Sequence, residues 1–203
     1  MSGDDRFDEA LALIDAANAQ DPNQEEADGR TWPKELLYAT RMSEMLQRFD
    51  PDADDAMRLA VRAQHIQRWK SARSDFPEGR QGYLQWRTGL YRFHAETAAA
   101  LLAEAGYDQA LIDRVKQAVG KKAIKVNPDS QLVEDIAGLV FIEHYMLPFA
   151  GKHPEYDEAK WIEIIRKAWK KLSAPAQAFA LSGGLRLPEP LVPLIQKALA
   201  DPA

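Results

Sequence analysis

The chain is 203 residues long, 46% apolar and 28% charged, with a formal net charge of −5. That composition fills a single core, and it argues against a disordered chain and a protein built to coat DNA. There is no cysteine, which excludes disulfides, thiolate-held metals, iron–sulfur clusters and thiol catalysis.

The apolar period is helical almost throughout, and strand signals are nearly absent. The first helix is expected over Asp8 to Gln20, with Ala10, Leu13, Ile14 and Ala17 inward. The segment DPNQEEADGR then reads as a polar loop. Trp32-Pro33 opens a second helix that runs to about Arg48, since proline fits the first helical turn. Asp50-Pro51 opens a third, with Asp50 as N-cap, running to about Ser71. SARSDFPEGRQG is a loop. A fourth helix spans roughly Gly82 to Ala105 and stops at Gly106, and a fifth spans Asp108 to Val119 before Gly120. Asn127-Pro128 starts a sixth that continues to about Ala150, and Pro154 to Leu172 is a seventh, with His153 as its cap. From Ser173 the tail forms one or two short helices, broken by Gly183-Gly184 and three prolines. The expected architecture is all-α: one domain over residues 1–203, a bundle of about eight or nine helices, with a core of about 7–173 and a helical tail at 174–203. The longest uncharged run, Leu172 to Leu185, contains Ser, Pro and Gly and does not suit a bilayer. The acidic start MSGDDRFDEA lacks the basic and apolar regions of a signal peptide, so a cytoplasmic location is expected.

Charge is uneven along this chain. Arg62 to Arg92 holds Arg62, Arg68, Lys70, Arg73, Arg80, Arg87 and Arg92 against only Asp75 and Glu78. Such an island suggests a local anion site, because the guanidinium fork suits phosphate or carboxylate. Trp69, Phe76, Tyr83, Trp86, Tyr91 and Phe93 fall among these cations and could stack a nucleobase. Pairing of the same arginines with acidic helices is an equally good account.

His94 shares a helix face with Leu90, Ala98 and Leu101 and should point inward. His65 shares one with Val61, Trp69 and Ala72, flanked by Arg62 and Arg68. No role is assigned to His144 or His153. In the sixth helix, IAGLVFI has no polar residue, as in a central helix, and Glu134 and Asp135 precede it. At least one of these carboxylates should be buried and need an arginine, a histidine or a metal. Gly138 would allow a close approach by a backbone or a ligand. No phosphate-binding glycine loop, HExxH or GxSxG is present.

The stretches YRFHAETAAALLAEAGYDQALIDRVKQAV and NPDSQLVEDIAGLVFIEH resemble the later half of an HD-domain metal hydrolase, and AVRAQHIQRW resembles that family's His-Asp helix. By that resemblance His94 matches the helix-opening histidine, Asp135 the late aspartate and His65 the doublet's histidine. The doublet's aspartate is Ile66 here, and the early histidine is absent from ELLYATRM, where Glu35, Tyr38 and Arg41 stand. More closely, IDAANAQDPN, ELLYATRM, RAQHIQRWKSARSDFPEGRQGYLQWRTGL, FHAE and LVEDIAGLVFIE are similar to an uncharacterised family, domain of unknown function 4202, over roughly Phe7 to Leu181. That family brings no established activity.

The resemblance implies a metal-dependent phosphohydrolase acting on a nucleotide or other phosphorylated small molecule. His65, His94 and Asp135 would hold a divalent ion, Mn, Fe or Zn, and Asp135, Glu134 or Glu143 would serve catalysis. Arg41, Arg62, Arg68, Arg73, Arg87, Trp69, Lys121 and Lys122 would hold the substrate. The alternative is a non-catalytic module binding a nucleotide, RNA or another anion, with a degenerate HD-like site.

Overall fold

The computed structural model describes residues 3–200. Among these are ten α-helices, several single turns and one small hairpin. The all-α expectation therefore holds. The chain divides into two compact units, Met1–Val133 and Glu134–Ala203, with the boundary inside one helix.

In the first unit, α1 (Gly3–Asn18) precedes a two-stranded antiparallel hairpin, β1 (Gln24–Ala27) and β2 (Arg30–Pro33). The sequence reading made this segment a loop, because its residues are polar and do not alternate. Local turn chemistry makes it a hairpin. Asp28 and Gly29 both take positive φ, 52° and 73°, as a two-residue type I′ turn requires. The Thr31 hydroxyl donates across the strands to Glu26, and within β2 the Arg30 guanidinium lies 3.7 Å from the Trp32 ring centroid.

Helix α2 (Lys34–Phe49) begins after Pro33, as the proline suggests. Its first turn is capped from a distance: buried Asp21 accepts from the Glu35 N–H at 3.0 Å through one oxygen. The other oxygen accepts from the Asn23 backbone and side-chain amides at 2.9 and 2.8 Å.

Helix α3 is shorter than expected, Asp55–Arg62, and Asp54 rather than Asp50 caps it, accepting from Met57 N–H at 3.1 Å. The helical pattern continues past Arg62, but the chain does not. It turns at Ala63, and Gln67 adopts left-handed backbone, φ 51°. The side-chain oxygen of fully buried Asn18 accepts from Gln67 N–H at 3.0 Å, so a tertiary contact overrides local propensity. His65 thus lies in a turn and does not share a helix face with Trp69 and Ala72.

Helices α4 (Gly79–Glu104) and α5 (Gln109–Val119) match their expected spans closely. Asp108 caps α5 by accepting from Leu111 N–H at 2.9 Å. The core of this unit holds Ile14, Met42, Met45, Leu59, Ile66, Leu102 and Val115, all fully buried.

Helix α6 (Pro128–Val140) crosses the unit boundary. The expected long sixth helix is interrupted: a π-turn at Phe141–Tyr145 separates α6 from α7 (Met146–Gly151). Helix α8 (Glu158–Trp169) starts later than Pro154, capped by Asp157, whose carboxylate accepts from Lys160 N–H at 2.8 Å. His153 is not that cap; its Nδ1 lies 2.8 Å from Glu155. The tail is as read: α9 (Ala174–Phe179) and α10 (Val192–Ala200) flank a break at Gly183, φ 87°. Ile136, Leu139, Met146, Trp161, Ile165, Leu172 and Leu191 are buried in this unit. Gly138 meets a side chain rather than a backbone, since a Cβ there would come within 2.7 Å of Leu172.

Candidate functional site

The turn after α3, the start of α2 and the middle of α4 bring five side chains together in the first unit: Glu35, Tyr38, His65, Arg68 and His94. The His65 and His94 rings lie 5.7 Å apart, centroid to centroid. Tyr38 stacks on His65 at 4.2 Å and 15°, and its hydroxyl donates to Gln64 at 2.9 Å. Arg68 reaches back to His65, with Nη1 3.1 Å from Nε2. Because a guanidinium only donates, Nε2 is the acceptor and the His65 proton sits on Nδ1. That Nδ1 faces Glu35 Oε2 at 3.7 Å, beyond hydrogen-bond range.

His94 is held more tightly. Its Nδ1 donates to the Ile66 carbonyl at 2.8 Å, which leaves Nε2 as a bare lone pair. That nitrogen is buried and has no hydrogen-bond partner. Most buried polar atoms are paired, so this nitrogen, like Asn18 Nδ2, Trp32 Nε1 and the Tyr107 hydroxyl, is an exception that a water, an ion or a ligand would satisfy.

Electrostatics reinforce the point. Burial, outweighing Arg68 and Lys34, raises the Glu35 carboxyl to about 7. Burial lowers His94 to about 4, helped by Arg68 and Lys121 and opposed by the bond to Ile66. His65 is lowered well below its usual value by burial, then by Arg68, His94, Lys121 and Lys34. Near pH 6, therefore, Glu35 is mostly protonated and both imidazoles are neutral. The approach of Glu35 to His65 is a contact of neutral groups and not an ion pair.

Sequence reasoning passed over Glu35 as a functional residue. The available signal was Glu35 and Tyr38 at i and i+3 on one face of ELLYATRM, the segment where the HD-domain resemblance calls for a histidine.

Several expected substrate residues are occupied elsewhere in this unit. Arg62 grips Asp15 through both carboxylate oxygens, at 2.7 and 2.8 Å. Arg41 pairs with Glu25 at 2.7 Å. Arg73 donates to the carbonyls of Phe76 and Gly79, and Arg87 donates to the Tyr91 and Tyr83 hydroxyls. Trp69 is partly buried and Lys122 is exposed. Arg68 lies beside the imidazoles, its guanidinium 5.1 Å from the Trp86 ring centroid. Lys121, in left-handed backbone at φ 51°, acts electrostatically on both histidines.

Asp135, Glu134 and Glu143 are buried in the second unit. Both oxygens of Asp135 are met by Ser173, from its N–H at 2.7 Å and its hydroxyl at 2.5 Å. Glu143 sits in the π-turn, where one oxygen accepts from Arg186 N–H at 2.8 Å and the other lies 3.1 Å from His144 Nε2.

Among the described residues, no group of three or more His, Asp or Glu side chains is disposed to hold a metal ion. In the first unit the His65 lone pair already accepts from Arg68, and the surrounding charges are cationic. As arranged, these donors suit an anion better than a divalent cation. No described helix is long and apolar enough to cross a membrane.

No curated protein and no solved structure matches the chain, and the likeness to HD-domain hydrolases rests on the sequence motifs. The family described as domain of unknown function (DUF4202) matches residues 8–195, and the chain belongs to that family.

Proposed function

We propose that the first unit binds a phosphorylated small molecule, of the nucleotide class, and hydrolyses its phosphate ester by proton transfer. The carrying observation is the buried, partnerless Nε2 of His94, locked in orientation beside the His65 ring that Arg68 contacts. Arg68 and Lys121 supply charge for the phosphate. Neutral His94 offers an acceptor to a substrate hydroxyl or to water. Glu35, poised near 7, can take a proton from water as its oxygen bonds phosphorus, then return it to the leaving oxygen.

A second reading, metal-dependent phosphohydrolysis, draws on the same nitrogen, because a fixed imidazole lone pair is also what a metal needs. Inorganic phosphate release from a panel of nucleotides and phosphomonoesters separates the readings. Turnover by the chelator-treated chain, lost by about 10²-fold or more in Glu35→Gln and His94→Ala, supports the first. Turnover that returns only on adding Mn²⁺, Fe²⁺ or Zn²⁺ supports the second. Ligand binding without turnover, abolished by Arg68→Met, reduces the site to a binding module. Absence of both binding and turnover overturns the proposal.

A further inference from the structure

A second feature of the first unit lies outside the histidine site. Helices α4 and α5 enclose an open groove of about 1270 Å³. Four cations line it: Arg80 and Arg92 from α4, Lys116 from α5, and Lys122 from the turn beyond. All four are exposed, and none has an ion-pair partner among the described residues. Arg41, Arg58, Arg62 and Arg114, by contrast, all have carboxylate partners.

Two acidic residues, Glu96 and Asp113, also line the groove, so it is not uniformly positive. Asp113 accepts from Gln109 at 2.8 Å. Positive charge still exceeds negative two to one in a chain whose overall charge is −5. Arg80 and Arg92 stand twelve residues apart on one helix, which places their backbones about 18 Å apart at 1.5 Å per residue. A single phosphate cannot answer both. Between the cations lie amides and rings, Gln81, Gln85, Phe76 and Tyr91, the surfaces that base edges and base faces use. An acidic peptide would need the charges without the rings.

We propose that the α4–α5 groove binds a short single-stranded RNA segment, with the four cations on successive phosphates and Tyr91 and Phe76 offering faces to bases. The proposal is independent of the histidine site, although Lys121 approaches both: its ammonium lies 5.7 Å from the Tyr91 ring centroid.

Fluorescence anisotropy tests it, using the full chain and a labelled single-stranded RNA of about twelve nucleotides. Four neutralised phosphates predict a log–log salt slope of about −3, hence about 50-fold weaker binding at 200 mM than at 50 mM salt. The double variant Arg92→Glu/Lys116→Glu, both positions exposed, should lose at least about tenfold in affinity, and Arg92→Gln should lose less. Glu35→Gln and His94→Ala should bind within about twofold of the native chain, which separates this groove from the phosphohydrolase reading. Absence of binding at 50 mM salt overturns the proposal, as does binding insensitive to both Arg92 variants. Equal competition by poly-glutamate of matched charge also overturns it, in favour of an acidic peptide.

Discussion

Both units bury carboxylates, and Glu35 of the first is handled differently from its neighbour Asp21 and from Asp135 and Glu143 of the second. In the second unit, Asp135 receives an N–H and a hydroxyl from Ser173, and Glu143 receives the Arg186 N–H. Each is a buried acid supplied with donors, the arrangement that makes burial of such a group tolerable. In the first unit, Glu35 is raised to about 7 because burial outweighs the nearby cations, and His94 keeps a nitrogen with no partner. The same residue types are therefore supplied with hydrogen-bond donors in one place and shifted by burial in the other. Satisfaction of the polar atoms, more than burial, tells them apart.

The contrast makes quantitative demands. The largest falls on Asp135. Asp135→Ala removes two charge-assisted hydrogen bonds and strands Ser173, so it should destabilise the chain by about 3 kcal/mol or more in denaturant unfolding. If stability is unchanged and only activity falls, the architectural reading of this residue is wrong.

A comparable effect of opposite sign belongs to Glu35. Its folded pKa is raised, so the native state holds a proton that the unfolded chain releases above about 4.5. Stability tied to this group is therefore full below pH 4.5 and is lost as pH rises through about 7. Glu35→Gln should stabilise the protein at pH 8 by up to about 3 kcal/mol and by nearly nothing at pH 4. Urea melts at the two pH values would show it, and a loss of stability at pH 8 would refute it.

The imidazoles pull the other way. His94 is depressed to about 4, so its contribution falls as pH drops from 6.5 toward 4. NMR titration of the His94 ring should show a neutral imidazole, protonated on Nδ1, throughout pH 5.5–8. A midpoint near 6.5 would mean a more hydrated pocket than the one described. The smallest effect concerns the helix cap. Asp108→Ala should cost about 1 kcal/mol and leave the site untouched, sharpening the distinction between stabilising and reactive acids.

Much of this molecule is legible without coordinates. The boundaries of α4 and α5 follow from Gly106, Asp108 and Gly120, where capping chemistry is local. The hairpin at 24–33 escapes periodicity because both strands are polar; only Asp28-Gly29 betrays it. The early end of α3 has no local signal, since Ala63 to Gln67 suits a helix and is turned by Asn18 from far away in the sequence. For the same reason the pairing of His65 with His94 was an inference from resemblance. The importance of Glu35 depends on burial and on the distant cap by Asp21, and neither is written near ELLYATRM.

That one amide of Asn18 carries a wider implication. The turn that carries His65 is held by the Gln67 N–H reaching across to the end of the first helix, so assembly of the cluster waits on the docking of that helix. Loosening the first helix would scatter these side chains while much of the remaining scaffold persisted. The histidine cluster would then come apart at temperatures where circular dichroism still reports a folded chain.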